Sequence, residues 1–232
     1  MQKFELTIKD VSKIKINTNK LPEGCAIHLT DKVDNASPFM IAPYLLDNPL
    51  TITFALRNHY HLGKVEMITK DLDMYLEGIK NNPNIKELLI VSGSNRGVVD
   101  SIAMLDYLGS IDNKTEIGVA YNCQLEDMIE ENARLALKLK HKFVKSVYIQ
   151  ITDNLEAIEK GIKHIKSIRK GIKIAVCMIK PSNSLLNSMK LRPWKGVKLS
   201  PEFLNSIDRA QSINNWNQRQ LKKSDVDFLW TV

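Results

Sequence analysis

The stretch KELLIVSGSNRG, residues 86–97, decides how the chain is read: an apolar run of strand length drives into a loop of Ser, Gly and Asn. Leu, Ile and Val follow one another there without polar alternation, the pattern of a strand covered on both faces. Runs of the same kind recur along the chain. KFELTIK (3–9), GCAIHLT (24–30) and LTITFALR (50–57) precede it, and TEIGVAY (115–121), SVYIQIT (146–152), IKIAVCMI (172–179) and DFLWTV (227–232) follow.

Helical periodicity fills the intervals. Residues 66–80 carry Met67, Leu72, Tyr75, Leu76 and Ile79, and residues 132–143 carry Ala133, Leu135, Ala136, Leu139 and Phe143. Residues 154–169 open on Asn154 as a capping side chain, place Leu155, Ile158, Ile162 and Ile165 at helical spacing, and stop before Gly171. Strands alternating with helices predict an α/β fold built on a parallel sheet, either a closed (β/α)8 TIM barrel or an open doubly wound sheet. We expect the barrel: at 232 residues it is a compact one beside the typical length of about 250. With no Gly/Ser/Pro linker, residues 1–232 form one expected domain. The long interval 181–226, containing LRPWKGVKLSPEFL (191–204), is expected to give irregular connection and short helices over the barrel end.

Composition excludes several classes. No apolar run approaches the roughly 20 residues that cross a bilayer, so no membrane partner is expected. MQKFELTIKD (1–10) has neither the apolar core nor the cleavage site of a secretory signal, which predicts a cytoplasmic protein. Cys25, Cys123 and Cys177 are far apart in apolar surroundings, as reduced thiols are, and no metal site is expected. The net charge of +7 and pI near 9.2 come from lysines spread along helices among glutamates; without a basic tract or interleaved aromatics, no nucleic-acid partner is expected.

In a barrel of this type chemistry sits at the carboxyl ends of the strands. That rule selects Glu5, Thr30 with Asp31, Arg57, Ser92–Asn95, Tyr121–Gln124, Gln150 and the residues 180–183. Taken in order, these pieces resemble the methylenetetrahydrofolate reductase family, in particular its short, divergent members. The resemblance covers most of the chain. It rests on the early FE of KFELTIKDVSKI, the glycine loop of LLIVSG, EIGVAYN, the helix EDMIEENARLALKLK, VYIQIT with its central Gln, and IKIAVCMIKPSN.

The resemblance implies a flavin-dependent barrel that interconverts methylene- and methyl-tetrahydrofolate by hydride transfer, with FAD or FMN as cofactor and a tetrahydrofolate derivative as substrate. Glu5 matches the family's acid facing the folate; an inward-facing strand end desolvates a carboxyl and raises its pKa, as an acid requires. Gln150 matches the glutamine that hydrogen-bonds the ring, and Arg57, Thr30 and Tyr121 complete the expected substrate-binding set. Ser92, Gly93 and Ser94 stand where the family has Arg-Gly-Asp beside the flavin, so the glycine is kept and both charges are replaced. Arg134 and Lys138, four apart on one helical face, match basic residues that meet the flavin phosphate. Thr53 stands where a histidine is common, and NCQ (122–124) replaces a Pro-Glu pair. These departures keep a second reading in play, a flavin-free barrel that binds tetrahydrofolate or moves its methyl group. His59 and His61 are too few for a metal site, Trp194 and Trp216 are expected at the barrel mouth, and a homo-oligomer or partner subunit is left open.

Overall fold

The apolar runs become eight strands because β-branched and leucine side chains fit a pleated surface buried on both faces. They are β1 (Gln2–Leu6), β2 (Ala26–Leu29), β3 (Leu50–Ala55), β4 (Ile85–Val91), β5 (Glu116–Tyr121), β6 (Val144–Ile149), β7 (Lys173–Ile179) and β8 (Asp227–Thr231). The computed structural model describes residues 2–6, 25–30, 38–56, 64–92, 100–111 and 114–231. All neighbouring strands are parallel, and they close in sequence order into a barrel, β1 pairing with β8 through Gln2↔Phe228 and Glu5↔Thr231. The expected closed (β/α)8 barrel is therefore the observed fold.

Among the described residues the helices are α1 (Val65–Lys80), α2 (Ser101–Ser110), α3 (Met128–Lys138), α4 (Leu155–Ile168), α5 (Asn183–Leu191), α6 (Pro201–Asn205) and α7 (Ile207–Leu221). Outward-facing strand residues, including Ile52, Phe54, Leu88, Ile90, Val119 and Val147, are buried under helix residues such as Leu72, Leu105, Leu135, Ile158 and Ile165. Side-chain caps start the helices: Asp100 accepts from the amides of Ile102 and Ala103, Asp127 from Glu130, and Asn154 from Ala157. No helix among the described residues is long and apolar enough to cross a membrane. Cys25, Cys123 and Cys177 are all free thiols.

Three expectations move. The helix expected at 132–143 runs instead over Met128–Lys138, because Asp127 caps it earlier and the Arg169 guanidinium takes the Leu139, His141 and Val144 carbonyls where the chain turns into β6. The strand expected at 146–152 is Val144–Ile149, its register fixed by Ile117↔Val144. The interval 181–226 holds three helices, and the last is 15 residues long. Helix α7 buries amides as well as apolar groups: Asn214 donates to the Ile179 carbonyl at 2.8 Å and Asn217 to that of Asp153 at 2.9 Å.

Candidate functional site

Strand register fixes what the barrel encloses. Because the strands tilt, side chains that share a level come from alternate strands. From the amino-terminal end upward the levels are Ala26, Glu87, Ser146 and Asp227; then Lys3, Thr51, Gly118 and Ala175; then His28, Leu89, Tyr148 and Leu229. Glu5, Thr53, Ala120 and Cys177 follow, and Val91, Gln150 and Thr231 belong to the carboxyl-terminal level, with Thr30 one residue past the end of β2. Gln150 keeps this parity because its amide continues the ladder, donating to the Tyr121 carbonyl at 2.8 Å.

Burial divides the interior into two halves. Lys3, His28, Thr51, Glu87, Leu89, Ser146, Tyr148, Ala175 and Leu229 are all buried, whereas on the upper levels Glu5, Val91, Ala120, Gln150, Cys177 and Thr231 are half-buried and only Thr30 and Thr53 are buried. Among the described residues the upper half, at the barrel mouth, is the more exposed, and the lower half is its buried support.

The support is polar. Glu87 accepts hydrogen bonds from the hydroxyls of Ser146 and Tyr148 and, at 3.2 Å, from Thr51. The Lys3 ammonium lies 4.0 Å from Glu87 and donates to the Tyr148 hydroxyl at 3.0 Å. Burial first, and then the Glu87 charge, raise the Tyr148 pKa and keep it a phenol donor. Gly118 makes the room: a Cβ there would stand 2.8 Å from both Ser146 Oγ and Tyr148 Cε2. Above this group, His28 Nε2 and Thr53 Oγ1 share a 2.5 Å hydrogen bond, and the His28 ring meets the edge of Tyr148 at 5.8 Å between centroids. Burial, followed by the Lys3 charge, pushes the His28 imidazole down to about 3, so it is neutral.

Of the residues selected from sequence, Glu5, Thr30 and Gln150 come together on the two upper levels. Glu5 acts electrostatically on Cys177, whose thiol is pushed up by burial first and by that carboxylate second. Tyr121 is elsewhere. It faces outward, donates to Asn132 Oδ1 at 2.8 Å and stacks on His164 at 6.4 Å, in a surface cleft of about 470 Å³ between α3 and α4. Burial, then Cys123 and Glu131, push its hydroxyl up to about 12.

Ser92 donates to Ser101 Oγ and accepts from the Ser101 amide, both at 3.0 Å, tying the end of β4 to α2. Arg134 is ion-paired with Asp100 at 2.9 Å, and Lys138 is buried with its ammonium donating to the Ala120 carbonyl at 2.8 Å. Trp194 and Trp216 are 36% and 58% exposed, and Trp216 lines a second surface cleft, of about 520 Å³, beside α7. Asp31, Arg57, His59, His61, Gly93 and Ser94 lie outside the described residues.

Sequence reading passed over Lys3, His28, Glu87 and Tyr148. The signal was present in parity: Glu87 shares a face with Leu89 and Val91, and Tyr148 with Ser146 and Gln150, so each charged or hydroxyl group had to point inward once the barrel closed.

No protein-family model matches the sequence, and no curated protein does. Solved structures share its fold. One is an uncharacterized protein from Clostridium thermocellum that binds two copies of 5-methyl-5,6,7,8-tetrahydrofolic acid; it is 12% identical with a TM-score of 0.64, over 100% of this chain and 88% of that one. Another is 2,3-dimethylmalate lyase, of the PEP mutase/isocitrate lyase superfamily, 11% identical with a TM-score of 0.51 over 96% of this chain and 83% of the other. At these identities the likeness is one of fold.

Proposed function

We propose that this chain binds a reduced folate at the carboxyl-terminal mouth of its barrel and does so without a flavin. The observation that carries the reading is that Glu5 and Gln150, both half-buried, lie on the two upper levels of the barrel interior above a buried polar support, with Thr30 buried at the same end. A tetrahydropterin presents a planar edge of amide and amino groups. A carboxylate accepts from its N–H groups, a glutamine amide both donates and accepts, and a threonine hydroxyl does either. The barrel shared with a protein that binds 5-methyl-tetrahydrofolate supports the same class of ligand.

Flavin-dependent hydride transfer asks more of the chain. It needs cations for the flavin phosphate, and the residues expected to supply them are engaged otherwise, Arg134 by Asp100 and Lys138 by the Ala120 carbonyl. Those residues do not fit a flavin phosphate as they stand, which favours the flavin-free reading. Within the mouth Glu5 is the acid-base group, able to accept from the ring or to give it a proton, and Gln150 orients the ring against it.

Calorimetry with 5-methyl-tetrahydrofolate and an absorbance spectrum of the freshly purified protein test this together. Saturable heat from colourless protein is the expected result. Absence of heat with every reduced folate removes the reading, and flavin bands in the spectrum return the reductase in its place.

A further inference from the structure

The inner face of β2 carries two buried polar atoms, His28 Nδ1 and Thr30 Oγ1, that find no hydrogen-bond partner among the described residues. They lie two residues apart on one strand, His28 on the topmost level of the buried support and Thr30 just past the end of β2 at the carboxyl-terminal side. Buried polar atoms in native proteins are almost always paired, by protein, water or ligand. Asn84 Oδ1 and His164 Nε2 are unpartnered as well, but only His28 Nδ1 and Thr30 Oγ1 share one strand toward the carboxyl-terminal end of the barrel.

We propose that His28 is a specificity-determining residue that reads the ring of the bound ligand through Nδ1, with Thr30 contributing the adjacent contact. The inference rests on the reduced-folate reading and names the part of the ligand recognised. The other ring nitrogen is already held: Nε2 is bonded to Thr53 Oγ1, and the edge contact with Tyr148 fixes the ring plane. The imidazole is therefore anchored at one nitrogen and buried without a partner at the other, so a ligand that reads it must reach down into the barrel. Being neutral, it presents a single N–H or a single lone pair, which suits the uncharged amide edge of a pterin and not a carboxylate tail, for which a cation is the partner.

Two substitutions separate recognition from packing. In His28→Gln the side-chain amide reaches the place of Nε2 and keeps the Thr53 bond, with nothing at the place of Nδ1. In His28→Asn the amide occupies the place of Nδ1 and the Thr53 bond is lost. Calorimetric titration with 5-methyl-tetrahydrofolate should show about a tenfold loss of affinity for His28→Gln, with partial recovery in His28→Asn, while urea unfolding ranks the two variants the other way. Native affinity in His28→Gln overturns the proposal.

Nitrogen NMR of histidine-labelled native protein is the second measurement, and it needs no variant to fold. Saturation with the folate should shift the His28 Nδ1 signal. A signal unmoved at saturation means that interior water alone satisfies the atom, and the proposal falls. Native protein that takes up no folate sinks the folate reading and this inference with it, whereas native binding with an indifferent His28 sinks this inference alone.

Discussion

The Tyr148 hydroxyl donates to the Glu87 carboxylate and accepts from the Lys3 ammonium at 3.0 Å, so side chains of β6, β4 and β1 form one polar bracket across the lower barrel. Its members are buried, with Lys3 and Glu87 side chains 10% and 7% exposed. Removing one charge leaves the other uncompensated, an effect of about 3–5 kcal/mol, while removing both with apolar groups of similar size is often neutral. Glu87→Leu should therefore lower the urea midpoint sharply, and Glu87→Leu combined with Lys3→Met should recover most of the loss. Additive losses in the double variant would show that the pair is not coupled.

Gly118→Ala tests the packing of the same region. A Cβ 2.8 Å from Ser146 Oγ and from Tyr148 Cε2 forces both to move, and overpacking of this kind costs about 1–3 kcal/mol. The urea midpoint should fall by a corresponding amount. An unchanged midpoint would mean that the bracket shifts freely.

His28 gives the protein an acid-sensitive component. Its native pKa of about 3 lies below its ordinary value of 6.5, so between those values the unfolded chain binds a proton that the folded one refuses. Stability from this residue is complete above pH 6.5 and is lost as pH falls toward 3, with a slope of up to about 1.4 kcal/mol per pH unit. Urea unfolding between pH 7 and about 4.5, compared with His28→Gln, isolates it, because Lys3, Glu5, Glu87 and Tyr148 are common to both proteins. Equal slopes would remove His28 as the cause.

Arg134→Ala separates the helix-pairing role from phosphate binding. Burial pushes the Asp100 carboxyl up, but the Ala103 amide and the Arg134 guanidinium outweigh it and leave the carboxyl below its ordinary value. The variant should lose about 1 kcal/mol of stability and bind 5-methyl-tetrahydrofolate with native affinity. Asp100→Ala also loses the cap of α2 and should cost about 0.5–2 kcal/mol. If Arg134→Ala instead changed FMN or FAD uptake, the guanidinium would be a phosphate ligand.

The barrel was legible because its signal is local: strands such as ELLIV and KIAVCMI are continuous apolar runs, and α4 shows both its cap and its stripe. Helix α7 was not, since Asn214 and Asn217 occupy its buried face and break the apolar periodicity on which helices are recognised. The placement of the candidate residues was partly legible. Glu5, Thr30 and Gln150 lie toward strand ends as the alternation of strands and helices implies, but the directions of Tyr121 and Lys138 depend on which way a side chain turns off strand or helix, and spacing alone does not fix that. The Glu87–Tyr148–Lys3 bracket is assembled across as many as 145 positions of sequence, a distance at which no motif exists.

The seam between β1 and β8 reaches beyond the finished molecule. A chain leaving the ribosome amino end first offers β1 one neighbour, β2, and keeps its other edge bare until residues 227–231 emerge to pair with it. Unpaired edges invite other chains, and ring closure over so long a loop is slow. Until β8 pairs with it, that edge of β1 is a site at which another chain can add.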